Sequence, residues 1–324
     1  MKFPAYFYGA AVFAAFVTTL ATLPFWRKWC LRSGLVDDPG QRKIHAKAVP
    51  LAGGFAVMTG LALPLIAGAI FLFLREPHSR SFELLHYGLG KRAIELAAII
   101  LGAFGMLALG WYDDKHELLP RTKFAGQFLI ALLVAVAGVR ITLFVPSAIF
   151  SYAVTILWIL TVTNAFNFID NMNGLCAGVG LIAAGSFAFS AASADQYLVG
   201  ILAFATAGAL LGFLPYNFPK ASAFLGDAGS HLVGFLAAVL AILPHFYTSE
   251  HQKTLAVLRP LLILAIPLAD LVCVVLIRWK LGKPFYIGDN NHFSHRLVRR
   301  GWSRVLTVIF IWLLAALAGF LALL

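Results

Sequence analysis

Ten long stretches of apolar residues, nearly free of charge, alternate with short polar turns along the 324-residue chain. They cover approximately 5–26, 51–74, 93–112, 124–139, 142–163, 174–192, 196–214, 228–247, 255–277 and 305–323. A helix crosses the hydrocarbon core of a bilayer with about 20 apolar residues, a length that most of these stretches reach and the fourth only approaches. Continuous apolar runs predict helices, because backbone polar groups in lipid must be satisfied within their own segment. The alternating pattern of a barrel strand is absent. The chain therefore reads as an all-α integral membrane protein with about ten transmembrane helices. It forms one domain over 1–324, without an internal repeat or a linker long enough to divide it.

The polar turns are not equivalent. Carboxylates gather after the odd-numbered spans, at Asp37-Asp38, Asp113-Asp114, Asp170, Asp227 and Asp289. Odd-numbered turns of a serpentine protein share one side of the bilayer, so five loops distant in sequence can meet on one polar surface beside lipid. Lysines and arginines sort the same way, seventeen in the odd turns against eight at the N-terminus and in the even turns. By the positive-inside bias this makes the odd turns cytoplasmic and leaves both termini outside. The second turn runs against the bias, with Arg75, Arg80, Lys91 and Arg92 outside, partly offset by Glu76, Glu83 and Glu95. The cluster Arg27, Lys28, Arg32, Arg42, Lys43 and Lys47 after the first span resists translocation, which argues for a retained helix rather than a signal peptide.

Composition sharpens this picture. With 61% hydrophobic and 12% charged residues, the solvent of this chain is mostly hydrocarbon, and the inner (plasma) membrane is the expected location of the multi-pass chain. The net charge of +11 sits in juxtamembrane turns, where anionic lipid head groups, not nucleic acid, are the expected partners. Cys30, Cys176 and Cys273 are odd in number and lie at the inner face or within spans, so no disulfide framework is expected.

The inner turns carry the candidate chemistry. Turn 1 runs from Asp37 through Arg42, Lys43 and His45 to Pro50 and Gly53-Gly54, offering either a phosphate cradle or topogenic charge with a close helix contact. In turn 3, Asp113 and Asp114 end an apolar helix, where anions are disfavoured by the helix dipole, so a compensating metal ion or lysine is implied; Lys123 and Gln127 follow. In turn 5, Asn164, Asn167 and Asp170 line one side of an otherwise apolar helix before Asn171, Asn173 and Gly174 break it, as a functional or a purely structural polar seam. Asp227 stands in Gly226-Asp227-Ala228-Gly229-Ser230 at the start of span 8. It is open to a magnesium ion or diphosphate, and equally placed to cap the helix. Turn 9 carries Asp289, His292, His295 and Arg296 among further cations, which suits a phosphate-binding rim or a proton relay. The remaining histidines, His231 among them, carry no pattern and read as structural.

Taken together, these turns resemble those of the polyprenyl-phosphate N-acetylhexosamine-1-phosphate transferase family, from about Asp37 to Gly301, in order and spacing. The family's acidic pair resembles Asp113-Asp114, its Asn-x-x-Asn-x-x-Asp segment resembles Asn164, Asn167 and Asp170, and its metal motif resembles Gly226 to Ser230. Its last cytoplasmic loop is similar to His292–His295. The resemblance implies a cytoplasmic active site in which Asp227 is the principal Mg²⁺ ligand, with Mn²⁺ as a substitute. Asp113 would act on the lipid phosphate, with Asp114, Asp170, His292 and His295 as further catalytic groups. Substrate contacts would come from Lys43, His45, Lys123, Asn164, Asn167, Asn173, Asn217, Phe224 and Arg296.

The implied reaction transfers N-acetylhexosamine-1-phosphate, GlcNAc-1-phosphate foremost, from a UDP-sugar to undecaprenyl or a related polyprenyl phosphate, releasing UMP and initiating cell-envelope glycan synthesis. A homodimer is compatible with it. Two departures stand out. Asn173 occupies the place where the family often has a second Asp, and His292 and His295 are separated by Phe293-Ser294 where the phospho-MurNAc-pentapeptide translocase branch has three consecutive histidines. The second departure, with Arg42-Lys43-x-His45, favours the GlcNAc branch over translocase activity. A secondary transporter of a phosphorylated metabolite is the competing class. It predicts ionisable residues at the bilayer midplane, where only Asp270 lies.

Overall fold

The computed structural model describes residues 4–37, 48–74, 80–142, 145–244, 257–284, 286 and 289–324. Helix α1 (Ala5–Ser33) is followed by a two-stranded ribbon, β1 (Val36–Asp37) and β2 (Val49–Pro50), then by α2 (Gly53–Leu74), α3 (Arg80–Lys91), α4 (Ala93–His116), α5 (Pro120–Val136) and α6 (Ala148–Ile169). The second half comprises α7 (Leu175–Ser193), α8 (Tyr197–Asn217), α9 (Gly226–Ile242), α10 (Arg259–Ile263), α11 (Ala265–Lys280), α12 (Phe293–Arg299) and α13 (Arg304–Leu323).

Each of the ten apolar stretches contains a helix, but among the described residues seven are long and apolar enough to cross a bilayer: α1, α2, α4, α6, α7, α8 and α13. This is a multi-pass membrane protein with seven candidate spans where the sequence suggests ten. The difference has physical causes. Helix α5 starts at Pro120 and carries Arg121 and Lys123 in its first turn. The ninth stretch breaks between α10 and α11 at Leu264. Helix α9, at 17 residues, packs against α2, α4, α6 and α7 and is buried almost continuously from Ala228 to Ala241. Its surroundings are protein rather than lipid, so it need not match the bilayer's thickness.

The second turn, troublesome for charge sorting, also differs from expectation. It forms α3, which buries Leu85 and Gly88 while Arg80, Glu83 and Lys91 lie on a partly exposed helix. The Tyr197 hydroxyl donates to the Leu84 carbonyl at 2.9 Å and ties this helix to α8.

At the opposite ends of the helices the odd turns meet, as the sequence suggests. β1 pairs antiparallel with β2 in the register Val36 to Pro50 and Asp37 to Val49. The ribbon is stitched to the loop before α9, where Phe224 N–H donates to the Pro50 carbonyl at 3.0 Å and Gly53 N–H donates to the Phe224 carbonyl at 2.8 Å. Turn 5 joins turn 9 through Ser294 Oγ, which donates to Asn171 Oδ1 at 2.7 Å.

Candidate active site

Helix α4 delivers Asp113 and Asp114 to this end of the bundle, and each carboxylate finds a different answer to its unfavourable place at a helix C-terminus. Asp113 Oδ2 pairs with Lys123 Nζ at 2.7 Å, and Oδ1 accepts the Leu118 N–H at 2.7 Å. Asp114 turns to another helix, its oxygens accepting the Asp227 N–H at 2.8 Å and the Ala228 N–H at 3.0 Å. It thereby caps α9, with its charge against the positive end of that helix's dipole. The glycines here have steric reasons. Gly226 has φ of +67°, and a Cβ there would lie 2.6 Å from Asp114 Oδ2, while a Cβ at Gly110 would collide with the Asp227 carbonyl.

With α9 fixed, Asp227 meets α5 and α6. Its Oδ2 pairs with Lys123 Nζ at 2.6 Å, and its Oδ1 accepts from Asn167 Nδ2 at 2.8 Å. Asn167 Nδ2 also donates to Ser230 Oγ at 2.9 Å. One ammonium thus serves two carboxylates, Asp113 and Asp227, so the cluster keeps an excess of negative charge. The Asp227 side chain remains 34% exposed, and its oxygens have lone pairs to spare. Asp170 lies at the end of α6; burial, with the Asp227 and Asp114 charges adding to it, pushes its carboxyl up to about 8.

A second polar group lies beside α6's end. His292 Nδ1 sits 2.7 Å from Asp270 Oδ2, and Asp270 Oδ1 accepts the Phe293 N–H at 2.8 Å, so one buried carboxylate both orients the imidazole and caps α12. Arg278, itself buried, donates from Nε to Asp289 Oδ2 at 3.2 Å and lies 4.9 Å from the Phe168 ring centroid. Burial opposes ionisation of Asp289, but hydrogen bonds from Arg278 and Asn291 outweigh it and hold the carboxyl below the ordinary range. His295 stands 6.2 Å from the His292 ring; burial, then the charges of His292, Arg304 and Arg299, lower it below the ordinary imidazole range, so it is neutral near pH 7. Arg296 is exposed on α12.

Of the residues expected from sequence, Asp113, Asp114, Lys123, Asn167 and Asp227 form one bonded cluster. Asn164 turns instead to Gln127, donating to its Oε1 at 2.7 Å. Asn217 has both ends of its amide on backbone, accepting the Gly174 N–H at 2.6 Å and donating to the Ala223 carbonyl at 2.9 Å. It clamps turn 5 to turn 7. Asn173 donates to the Pro219 carbonyl at 3.2 Å across the same junction, and Phe224 is half-buried beside it. Lys43 and His45 lie outside the described residues. Sequence reasoning gave His231 no role and did not read the pairings of Gln127 with Asn164 and His231, Ser230 with Asn167, Arg278 with Asp289 or Asp270 with His292. A carboxylate and a guanidinium in an apolar helix were the available signals, since such groups at membrane depth demand partners.

These features define a class: a polytopic membrane protein with an acidic, amide-rich centre and a neighbouring basic arm at one end of its helices. Comparison with known proteins narrows it. The chain belongs to glycosyl transferase family 4, whose model matches residues 96–245. It is 30% identical over 312 residues to the probable undecaprenyl-phosphate N-acetylglucosaminyl 1-phosphate transferase of Bacillus subtilis (strain 168), covering 94% of this chain and 81% of that protein. It is 32% identical over 328 residues to the decaprenyl-phosphate N-acetylglucosaminephosphotransferase of Mycobacterium tuberculosis (strain CDC 1551 / Oshkosh), covering 92% and 78%. Similarity to the undecaprenyl-phosphate alpha-N-acetylglucosaminyl 1-phosphate transferase of Escherichia coli (strain K12) is 27% over 319 residues, covering 93% and 79%.

Proposed function

We propose that this protein transfers GlcNAc-1-phosphate from UDP-GlcNAc to a polyprenyl phosphate, giving polyprenyl-diphosphate-GlcNAc and UMP at the cytoplasmic face of the plasma membrane. The names of the relatives support the acceptor and the sugar phosphate. The observation that carries the chemistry is the placement of Lys123 between Asp113 and Asp227, a cationic contact inside a carboxylate cluster of net negative charge.

That charge excess fits a divalent cation. Among the described residues no three potential ligand side chains already form a cage, but Mg²⁺ is commonly held by one or two carboxylates with phosphate oxygens and water completing the shell. Asp227 would hold it, and once bound it would supply charge neutralisation for the diphosphate.

The chain's own residues account for the rest. A phosphate monoester with a second pKa near ~6 is largely dianionic at neutral pH, so the acceptor needs little help from a base. Its oxygen attacks the β-phosphorus, the bond from that phosphorus to the bridging oxygen breaks, and UMP leaves with the electron pair. Lys123 holds Asp113 and Asp227 together, Asn167 holds Asp227 in place, and Asp114 fixes the helix that bears it. Both oxygens of Asp113 are already engaged by Lys123 and the Leu118 N–H, which favours a positioning and electrostatic part over covalent attack. His292, oriented by Asp270, and His295 belong to the basic arm beside this cluster and would serve the phosphate-bearing substrates from there. Purified protein incubated with radiolabelled UDP-GlcNAc and undecaprenyl phosphate should give labelled lipid and UMP with Mg²⁺ and neither after chelation. Labelled lipid from a different nucleotide sugar alone would reassign the donor.

A further inference from the structure

One helical turn beneath the carboxylate–lysine cluster lies a second set of polar side chains on the same three helices. Lys123 is followed on α5 by Gln127, Asp227 on α9 by His231, and Asn167 is preceded on α6 by Asn164. Because α6 runs opposite to the other two, all three partners fall on the deeper side, by roughly the 5.4 Å pitch of a helix. Gln127 is 1% exposed and His231 0%.

The directions of the hydrogen bonds follow from one fixed point. Asn164 Nδ2 lies 2.8 Å from the Leu160 carbonyl, which only accepts, so that atom must be the amide nitrogen. The same nitrogen donates to Gln127 at 2.7 Å, which makes the facing atom Gln127 Oε1. Gln127 Nε2 is then the donor to His231 Nε2 at 3.2 Å, so His231 is neutral and carries its proton on Nδ1. That Nδ1 is buried without an acceptor among the described residues. An unpaired buried donor is destabilising, so stability gives no reason to place a histidine here.

We propose that Asn164, Gln127 and His231 form a positioning layer that sets the depth and rotation of α5, α6 and α9, so that Lys123, Asn167 and Asp227 meet. None of the three touches substrate. The layer rests on the transfer reading for its kinetic consequence, whereas its effect on the geometry of Lys123 is independent of it.

The test uses the full-length protein and the variants Gln127→Met, His231→Met, the double Met variant and His231→Gln. Gln at 231 can offer Oε1 where the imidazole offered Nε2. Each single Met variant should lower kcat by about tenfold or more while KM for both substrates stays within about threefold. The double variant should melt at or above the wild-type temperature, because the orphaned imidazole donor and the Gln127 amide are removed together while Asn164 keeps its bond to the Leu160 carbonyl, yet be no faster than either single variant. His231→Gln should recover most of the turnover. In parallel, labelling of Lys123 by an amine-reactive reagent, read by mass spectrometry against exposed Lys220, should quicken at least about threefold in the Met variants as its ion pairs loosen. Turnover that falls only in step with melting temperature, or normal turnover with unchanged labelling, overturns the layer. If the wild type fails to transfer GlcNAc-1-phosphate, the functional reading fails, and the labelling arm still decides the layer.

Discussion

Around Lys123, two carboxylates share one ammonium and negative charge is left over; around Arg278, the guanidinium and Asp289 close on each other while Arg296, Arg299 and Arg300 stand exposed on or beside α12. The two regions flank the C-terminal end of α6. Asn167 reaches Asp227, Phe168 lies against Arg278 and His292, and Asn171 accepts from Ser294. A reaction between two phosphates needs both kinds of surroundings. The acidic half suits a cation that clamps a diphosphate, and the basic half suits phosphate oxygens directly. Successive residues of one helix end hold the halves at a fixed distance, which is what in-line transfer requires.

The division breaks most severely at Asp227. Asp227→Asn keeps the shape but removes the charge, and turnover is expected to fall by at least about 10³-fold with the fold intact by thermal melting. Activity within about tenfold of wild type would reduce Asp227 to a structural residue.

His292→Asn probes the other half. An asparagine can still donate to Asp270 from the position of Nδ1, so α12 should stay docked while Nε2 is lost. Turnover should drop by about 10²-fold, in the range that positioned proton donors supply. His292→Ala, by contrast, leaves Asp270 buried without its partner, and the accompanying loss of melting temperature separates docking from chemistry.

Gly226→Ala acts through geometry alone. A left-handed φ costs an alanine about 1–2 kcal/mol, and the new methyl would press on Asp114. The α9 cap should loosen, lowering melting temperature and reducing turnover by about tenfold. Unchanged turnover would show that the Asp114 cap does not control Asp227.

The smallest effect concerns pH. Folding raises the Asp170 carboxyl from 3.8 to about 8. A carboxyl raised in this way adds stability below its unfolded value, and that contribution is lost as pH climbs through the folded one. Melting temperature of the metal-free protein should therefore decline between pH 4 and about 8, and Asp170→Asn should flatten the decline. An identical slope in the variant would place the titration elsewhere.

Much of this was readable in the chain because turns of a serpentine membrane protein have only two sides to occupy. That constraint sufficed to bring Asp113, Asp227 and His292 toward one polar surface, and apolar runs sufficed for the helices themselves. Pairing was not readable. Lys123 and Asp227 are 104 positions apart, as are Gln127 and His231, and no local periodicity records which helix faces which. His231 reads as structural for that reason. Asp270, seen in sequence as a lone midspan acid, acquires its meaning only from the break at Leu264, which lets α11 start afresh and carry it beneath α12. Asn217 illustrates the converse: a polar residue at a turn reads as a ligand contact, while here its amide is taken by two backbone groups.

The claim that the halves have separate tasks is tested most directly by titrating Mg²⁺ into the transfer assay with wild type, Asp227→Asn and His292→Asn side by side. Wild type should saturate, and His292→Asn should saturate at a similar concentration, within about threefold, but at a lower plateau. Asp227→Asn should remain flat throughout. A plateau for Asp227→Asn merely shifted to higher Mg²⁺, together with loss of the Mg²⁺ response in His292→Asn, would place the cation in the basic arm and contradict the account.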